Sequence, residues 1–115
     1  MIQIRIKLKT ENLKELSGCI SQAIQENFYE IDYLDYYNLQ HLIKKLLDKY
    51  HSLTTFDPFK PQRSLYIKLN INEAHSYRKL LLMDSIIWEN EYLSELNREI
   101  IAQIDRQIEN IKKLI

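Results

Sequence analysis

The chain has 115 residues, enough to close one hydrophobic core and too few for two ordinary domains, so 1–115 is read as a single domain. Sixteen basic side chains balance sixteen acidic ones, which excludes a global field steering the chain to nucleic acid or an anionic membrane and leaves charged partners to local patches. A lone cysteine, Cys19, rules out an internal disulfide or a thiolate metal cluster and fits a reducing cytoplasm, while a lone glycine, Gly18, leaves no material for phosphate-cradling loops.

The N-terminal run MIQIRIKLK alternates apolar and polar residues, so it reads as mature structure and not as a secretory leader. Ile2, Ile4, Ile6 and Leu8 share one face of a strand; Arg5, Lys7 and Lys9 share the other. Thr10 is placed to cap a helix whose stripe is Leu13, Leu16, Ile20, Ala23 and Ile24, with Gly18 on its outer side.

A second helix is expected from near Asp32, with Tyr36, Leu39, Ile43, Leu46, Leu47 and Tyr50 inward and His41, Lys45 and Asp48 outward. The stretch TTFDPFKPQR ends it, because each proline disfavours the helical conformation of the residue before it, Asp57 and Lys60. Leu65, Ile67 and Leu69 then alternate with Tyr66 and Lys68 as a second strand. The period changes at Asn70, which with Glu73 three residues on has the form of a capping box.

The polar residues that invite chemistry find structural uses. Glu73 belongs to the box, and His75 lies far around the helix from Tyr77, Leu81 and Trp88, facing water without a carboxylate to make it a base. Asp84 falls inside that apolar cluster and needs a tyrosine hydroxyl, an arginine or water, the sharper alternative being an acid of raised pKa in a pocket. Asp48 and His51 are a single acid and histidine without companions, and no Glu-x-x-His occurs anywhere. No catalytic, metal or cofactor-binding residue is therefore assigned, and no cofactor is expected. The longest greasy run, LLLMDSIIW, falls far short of the roughly 20 residues that span a bilayer, so no membrane partner is expected.

Neither glycine nor proline occurs in 71–115, and an unbroken helix over that range would be roughly 65 Å long. Its apolar face changes sides: Ala74, Tyr77, Leu81 and Trp88 lie opposite Leu93, Leu96, Ile100, Ile104, Ile108, Ile111 and Ile115. A break near residue 90 would fold a helix over 91–115 back onto its own core. A continuous helix would instead protrude and offer the second stripe to another chain as a homodimer interface. The lack of a breaking residue favours the continuous form. The stripe repeats nearer eleven residues than seven, which suits a nearly straight bundle and not a leucine zipper.

These readings assemble into a helix-dominated α+β domain in β-α-α-β-α order, two short antiparallel strands packed with three or four helices. The function they imply is a non-enzymatic oligomerisation or protein-interaction module, its partner either itself or another protein. Besides the terminal stripe, Tyr33 and Tyr37 in FYEIDYLDYY offer a partner surface, with Tyr36 turned inward and Glu30, Asp32 and Asp35 favouring a basic partner. The alternative is nucleic-acid binding on a strand face carrying Arg5, Lys7, Lys9, Tyr66 and Lys68. A third reading, a small enzyme without a recognisable motif, has no residue to carry it.

Overall fold

A computed structural model describes residues 3–56, 64–83 and 91–114. In chain order these form β1 (Gln3–Lys9), α1 (Asn12–Glu26), a 3-10 turn (Phe28–Glu30), α2 (Tyr33–Phe56), β2 (Ser64–Asn70), α3 (Ile71–Met83) and α4 (Glu91–Leu114). The expected α+β architecture holds, with a two-stranded antiparallel sheet and four helices. The proline-bearing turn, Asp84, Trp88 and Ile115 lie outside the described residues.

The two-residue period sets the sheet's register. Ile4 pairs with Leu69 and Ile6 with Ile67, all of them buried, while Arg5 stands opposite Lys68 and Lys7 opposite Tyr66 on the exposed face. Slipping either strand by one residue would put every aliphatic in water. The inner face joins a core that takes Leu13, Leu16 and Ile20 from α1, Leu39, Leu42 and Leu46 from α2, and Tyr77, Leu80 and Leu81 from α3. At about 25 cal/mol per Å² of apolar area, burial of such a set is the main force holding the fold.

Helix starts follow local chemistry. The Asn70 side chain accepts from the Glu73 N–H at 2.7 Å, and the Glu73 carboxylate accepts from the Asn70 N–H at 3.0 Å, closing the capping box. Lys45 of α2 adds an ion pair to Glu73 at 2.5 Å and donates to the Lys68 carbonyl at 3.2 Å. Asp32 accepts from the Asp35 N–H at 2.8 Å and so caps α2. Thr10 does not cap α1 through its hydroxyl; instead its carbonyl takes the Leu13 N–H at 3.3 Å, and the helix begins at Asn12 without a side-chain cap.

The unbroken C-terminal helix is overturned. On one straight helix the 27 residues between Arg78 and Asp105 would separate them by about 40 Å, yet Arg78 Nε lies 2.5 Å from Asp105 Oδ1. α3 ends at Met83, α4 begins at Glu91, and α4 runs antiparallel to β1 along that strand's edge. Much of the stripe expected to face a second chain packs against the protein's own core. Leu96, Ile100 and Ile104 are buried in the core, the latter two at 0 % exposure, and Ile108 and Ile111 are partly buried against it. Leu93 is half-buried. The apolar face changes sides because the two helices approach one core from different directions.

α2 also departs from its expected phase. Its inward stripe starts with polar residues, Asp35 and Asn38, and continues through Leu39, Leu42, Ile43 and Leu46; Tyr36, expected inward, is exposed. Asp35 and Asn38 are matched from α3. Ser76 Oγ donates to Asp35 at 2.7 Å and accepts from Asn38 Nδ2 at 3.1 Å, while Lys79 Nζ donates to Asp35 at 2.8 Å. Burial works against the Asp35 carboxylate, but the bonds from Lys79 and Ser76 outweigh it and hold its pKa below the ordinary value.

Candidate interaction surfaces

The first surface is an aromatic corner where α1 gives way to α2. The 3-10 turn is closed by Glu30 N–H donating to the Asn27 carbonyl at 2.9 Å, and Asn27 itself terminates α1 on the Ala23 carbonyl. This tight geometry turns Phe28, Tyr29, Tyr33, Leu34 and Tyr37 outward together, Tyr29 at 99 % and Tyr33 at 85 % exposure. Phe28 meets Tyr29 and Tyr36 edge-on at centroid separations of 5.6 and 6.3 Å, and Tyr37 lies 4.6 Å from the His41 ring. The corner therefore holds Tyr33 and Tyr37 where expected and adds Phe28, Tyr29, Leu34 and Tyr36. Exposed Glu26, Glu30 and Asp32 surround it.

The second surface is the outer sheet face. The register gathers Arg5, Lys7, Lys9, Tyr66 and Lys68 onto one exposed side, as the alternation requires. α4 rises along the β1 edge and turns that side into a groove of about 710 Å³, lined on the sheet by Arg5, Lys7, Lys9 and Tyr66 and on the helix by Tyr92, Glu95, Glu99 and Arg106. Among the described residues no carboxylate lies within ion-pair distance of Arg5, Lys7, Lys9, Lys68 or Arg106, whereas Lys45, Arg78 and Lys79 are ion-paired. The Tyr92 hydroxyl donates to Asn12 Oδ1, and burial, followed by the charges of Glu15 and Glu11, pushes its pKa up.

The helical wall escapes sequence reasoning because its partners are distant. Gln103 and Gln107 belong to α4 by the spacing of one helical turn, yet they serve β1: Lys7 N–H donates to Gln103 Oε1 at 2.6 Å and Arg5 N–H to Gln107 Oε1 at 2.8 Å. Their amide NH2 groups return bonds to the Lys7 and Arg5 carbonyls at 3.2 and 2.5 Å. The only sequence signal was the i, i+4 pair of glutamines on the flank of a strongly apolar stripe.

The histidines are not brought together. His41, His51 and His75 are exposed on different helix faces, and among the described residues no three His, Cys, Asp or Glu side chains are grouped to hold a metal ion. The Tyr77 hydroxyl is fully buried and has no hydrogen-bond partner among the described residues, as is true of both amide atoms of Asn97. Among the described residues no helix is long and apolar enough to cross a membrane. No family model, no curated protein and no solved structure matches the chain, so both surfaces are interpreted from their own chemistry.

Proposed function

We propose that this protein is a non-enzymatic interaction module that docks a basic, partly apolar segment of another protein on its aromatic corner. The observation that carries this reading is the joint exposure of Phe28, Tyr29, Tyr33, Leu34 and Tyr37 at one corner. Side chains of this size are ordinarily sequestered, and contiguous exposed apolar patches mark contact sites. Tyrosine suits such a role because it brings a large amphipathic area with few torsions to freeze.

Charge selects the partner. Glu26, Glu30 and Asp32 rim the corner, so a Lys- or Arg-bearing segment gains attraction at the edge and cation–π contact over the rings. Two copies of the corner meeting face to face would oppose like charges, which argues against symmetric self-association there. Leu96, Ile100 and Ile104 of the α4 stripe belong to the protein's own core, so this reading rests on the aromatic corner and not on that stripe.

The test is selection from a displayed peptide library, run in parallel on the wild type and on a Tyr33→Ala, Tyr37→Ala double variant. Peptides combining basic with aliphatic residues are expected from the wild type and lost with the variant, whose circular dichroism stays native. Enrichment of acidic peptides, or equal recovery by both proteins, overturns the proposal.

A further inference from the structure

From the outer sheet face and its α4 wall we infer a second site, independent of the aromatic corner, that binds a short length of single-stranded nucleic acid. Arg5 and Lys7 from β1 and Arg106 from α4 line the groove together with one exposed aromatic ring, Tyr66, and Lys68 stands opposite Arg5 on the same sheet face. Phosphates are met by the cations and a base by the ring, the combination single strands require.

The ordinary explanation of a basic sheet face is protection of open strand edges. That need is met in part by other means here. The β1 edge is sealed at Arg5 and Lys7 by the amides of Gln107 and Gln103, and the Lys68 carbonyl on β2 is occupied by Lys45. The charges of Arg5, Lys7 and Lys68 project from the face and not from the edge, and none is neutralised by an ion pair among the described residues.

Shape decides between single strand and duplex. A bare two-stranded ribbon could enter a major groove about 12 Å wide, but a helix of about 10 Å diameter lies against its edge, and ribbon plus helix exceed that width. The cavity between them is concave and admits a flexible strand instead. Its charge is also graded along its length. Gln107 sits beside Arg5 and Gln103 beside Lys7, so one further turn back brings Glu99 level with Lys9, near Glu95, Glu11 and Tyr92. The acidic end repels phosphate, confining the backbone to the Arg5, Lys7, Lys68 and Arg106 end. The footprint is accordingly short.

Fluorescence anisotropy with a labelled mixed-sequence DNA or RNA oligonucleotide tests this, using the full chain, the same sequence as duplex, and inorganic polyphosphate as competitor. The single strand should bind more tightly than the duplex, with a log–log salt slope of about −2 to −3 for three or four phosphates at roughly −0.7 each. Lys7→Gln with Lys68→Gln should flatten that slope by about 1.4. Tyr66→Leu should weaken binding by about tenfold while leaving the slope unchanged. Tighter binding to duplex overturns the inference. So does the absence of single-strand binding at low salt, or displacement by polyphosphate together with an indifferent Tyr66→Leu, which would reduce the face to an ion exchanger.

Discussion

Gln107 treats Arg5 as one strand residue treats another: its side-chain carbonyl accepts the Arg5 N–H at 2.8 Å, and its NH2 returns a bond to the Arg5 carbonyl at 2.5 Å. Gln103 repeats the exchange with Lys7. A primary amide carries the same donor and acceptor as a peptide unit, and four helical residues advance about 6 Å while two strand residues advance nearly 7 Å. Two glutamines one turn apart can therefore stand in for a third strand.

Replacing both with alanine, Gln103→Ala and Gln107→Ala, removes these bonds from a partly exposed edge. With the four bonds each at the exposed, lower end of a net range of about 0.5–1.5 kcal/mol and alanine returning a few tenths per site in helix propensity, a loss of about 1–2 kcal/mol is expected in urea unfolding. Sedimentation should also show concentration-dependent self-association, since the bared β1 edge can pair with another copy. An unaltered midpoint with a strictly constant mass would assign the amides no role in stability or edge protection.

Ile100 and Ile104 distinguish an internal stripe from an intermolecular one. Either isoleucine changed to alanine should cost about 2–5 kcal/mol, as a buried large-to-small substitution does, with no dependence of the midpoint on protein concentration. A midpoint that moves with concentration would place the stripe in an interface between chains.

Acid should loosen the α2–α3 contact first. The folded pKa of Asp35 lies below its ordinary 3.8, so its contribution to stability is complete above that value and is lost as pH falls through the folded one. Asp35→Asn should be less stable at neutral pH and should flatten the stability profile on the acid side of the ordinary 3.8. Equal steepness in wild type and variant would put the acid sensitivity elsewhere.

Tyr77 behaves in the opposite sense at high pH. Burial, with a smaller effect from Cys19, raises its phenol far above the ordinary 10.0, so it stays neutral while the unfolded chain ionises. Stability tied to this group is intact below pH 10 and declines above it. Tyr77→Phe removes an unpaired buried hydroxyl, so it should leave stability at neutral pH unchanged or higher and lessen the alkaline decline. A loss above about 1 kcal/mol would reveal a hydrogen bond to that hydroxyl.

What could be read from the sequence was what neighbours along the chain determine. Alternation at Ile4, Ile6 and Leu8 and at Ile67 and Leu69 gives both strands and the face bearing Arg5, Lys7 and Lys68, and the Asn70–Glu73 box needs only three residues. Phase arguments failed where an inward position was polar: Asp35 and Asn38 head the buried face of α2, and their partners Ser76 and Lys79 are about forty residues away. The periodicity therefore locked onto Tyr36 instead of Leu42. The changing face near the C-terminus was visible, but its resolution depended on Arg78 meeting Asp105, a contact no local pattern announces. The glutamine seal was hidden for the same reason, its ends separated by 96 and 102 residues.

That separation bears on synthesis. β1 leaves the ribosome before both of its lateral neighbours, β2 beginning at Ser64 and α4 at Glu91. While the α1–α2 hairpin can condense early through short-range contacts, β1 waits with both flanks bare until β2 and then α4 have emerged to enclose it. A ribosome stalled before Gln103 would hold a nascent chain whose opening residues are competent to pair with a stranger.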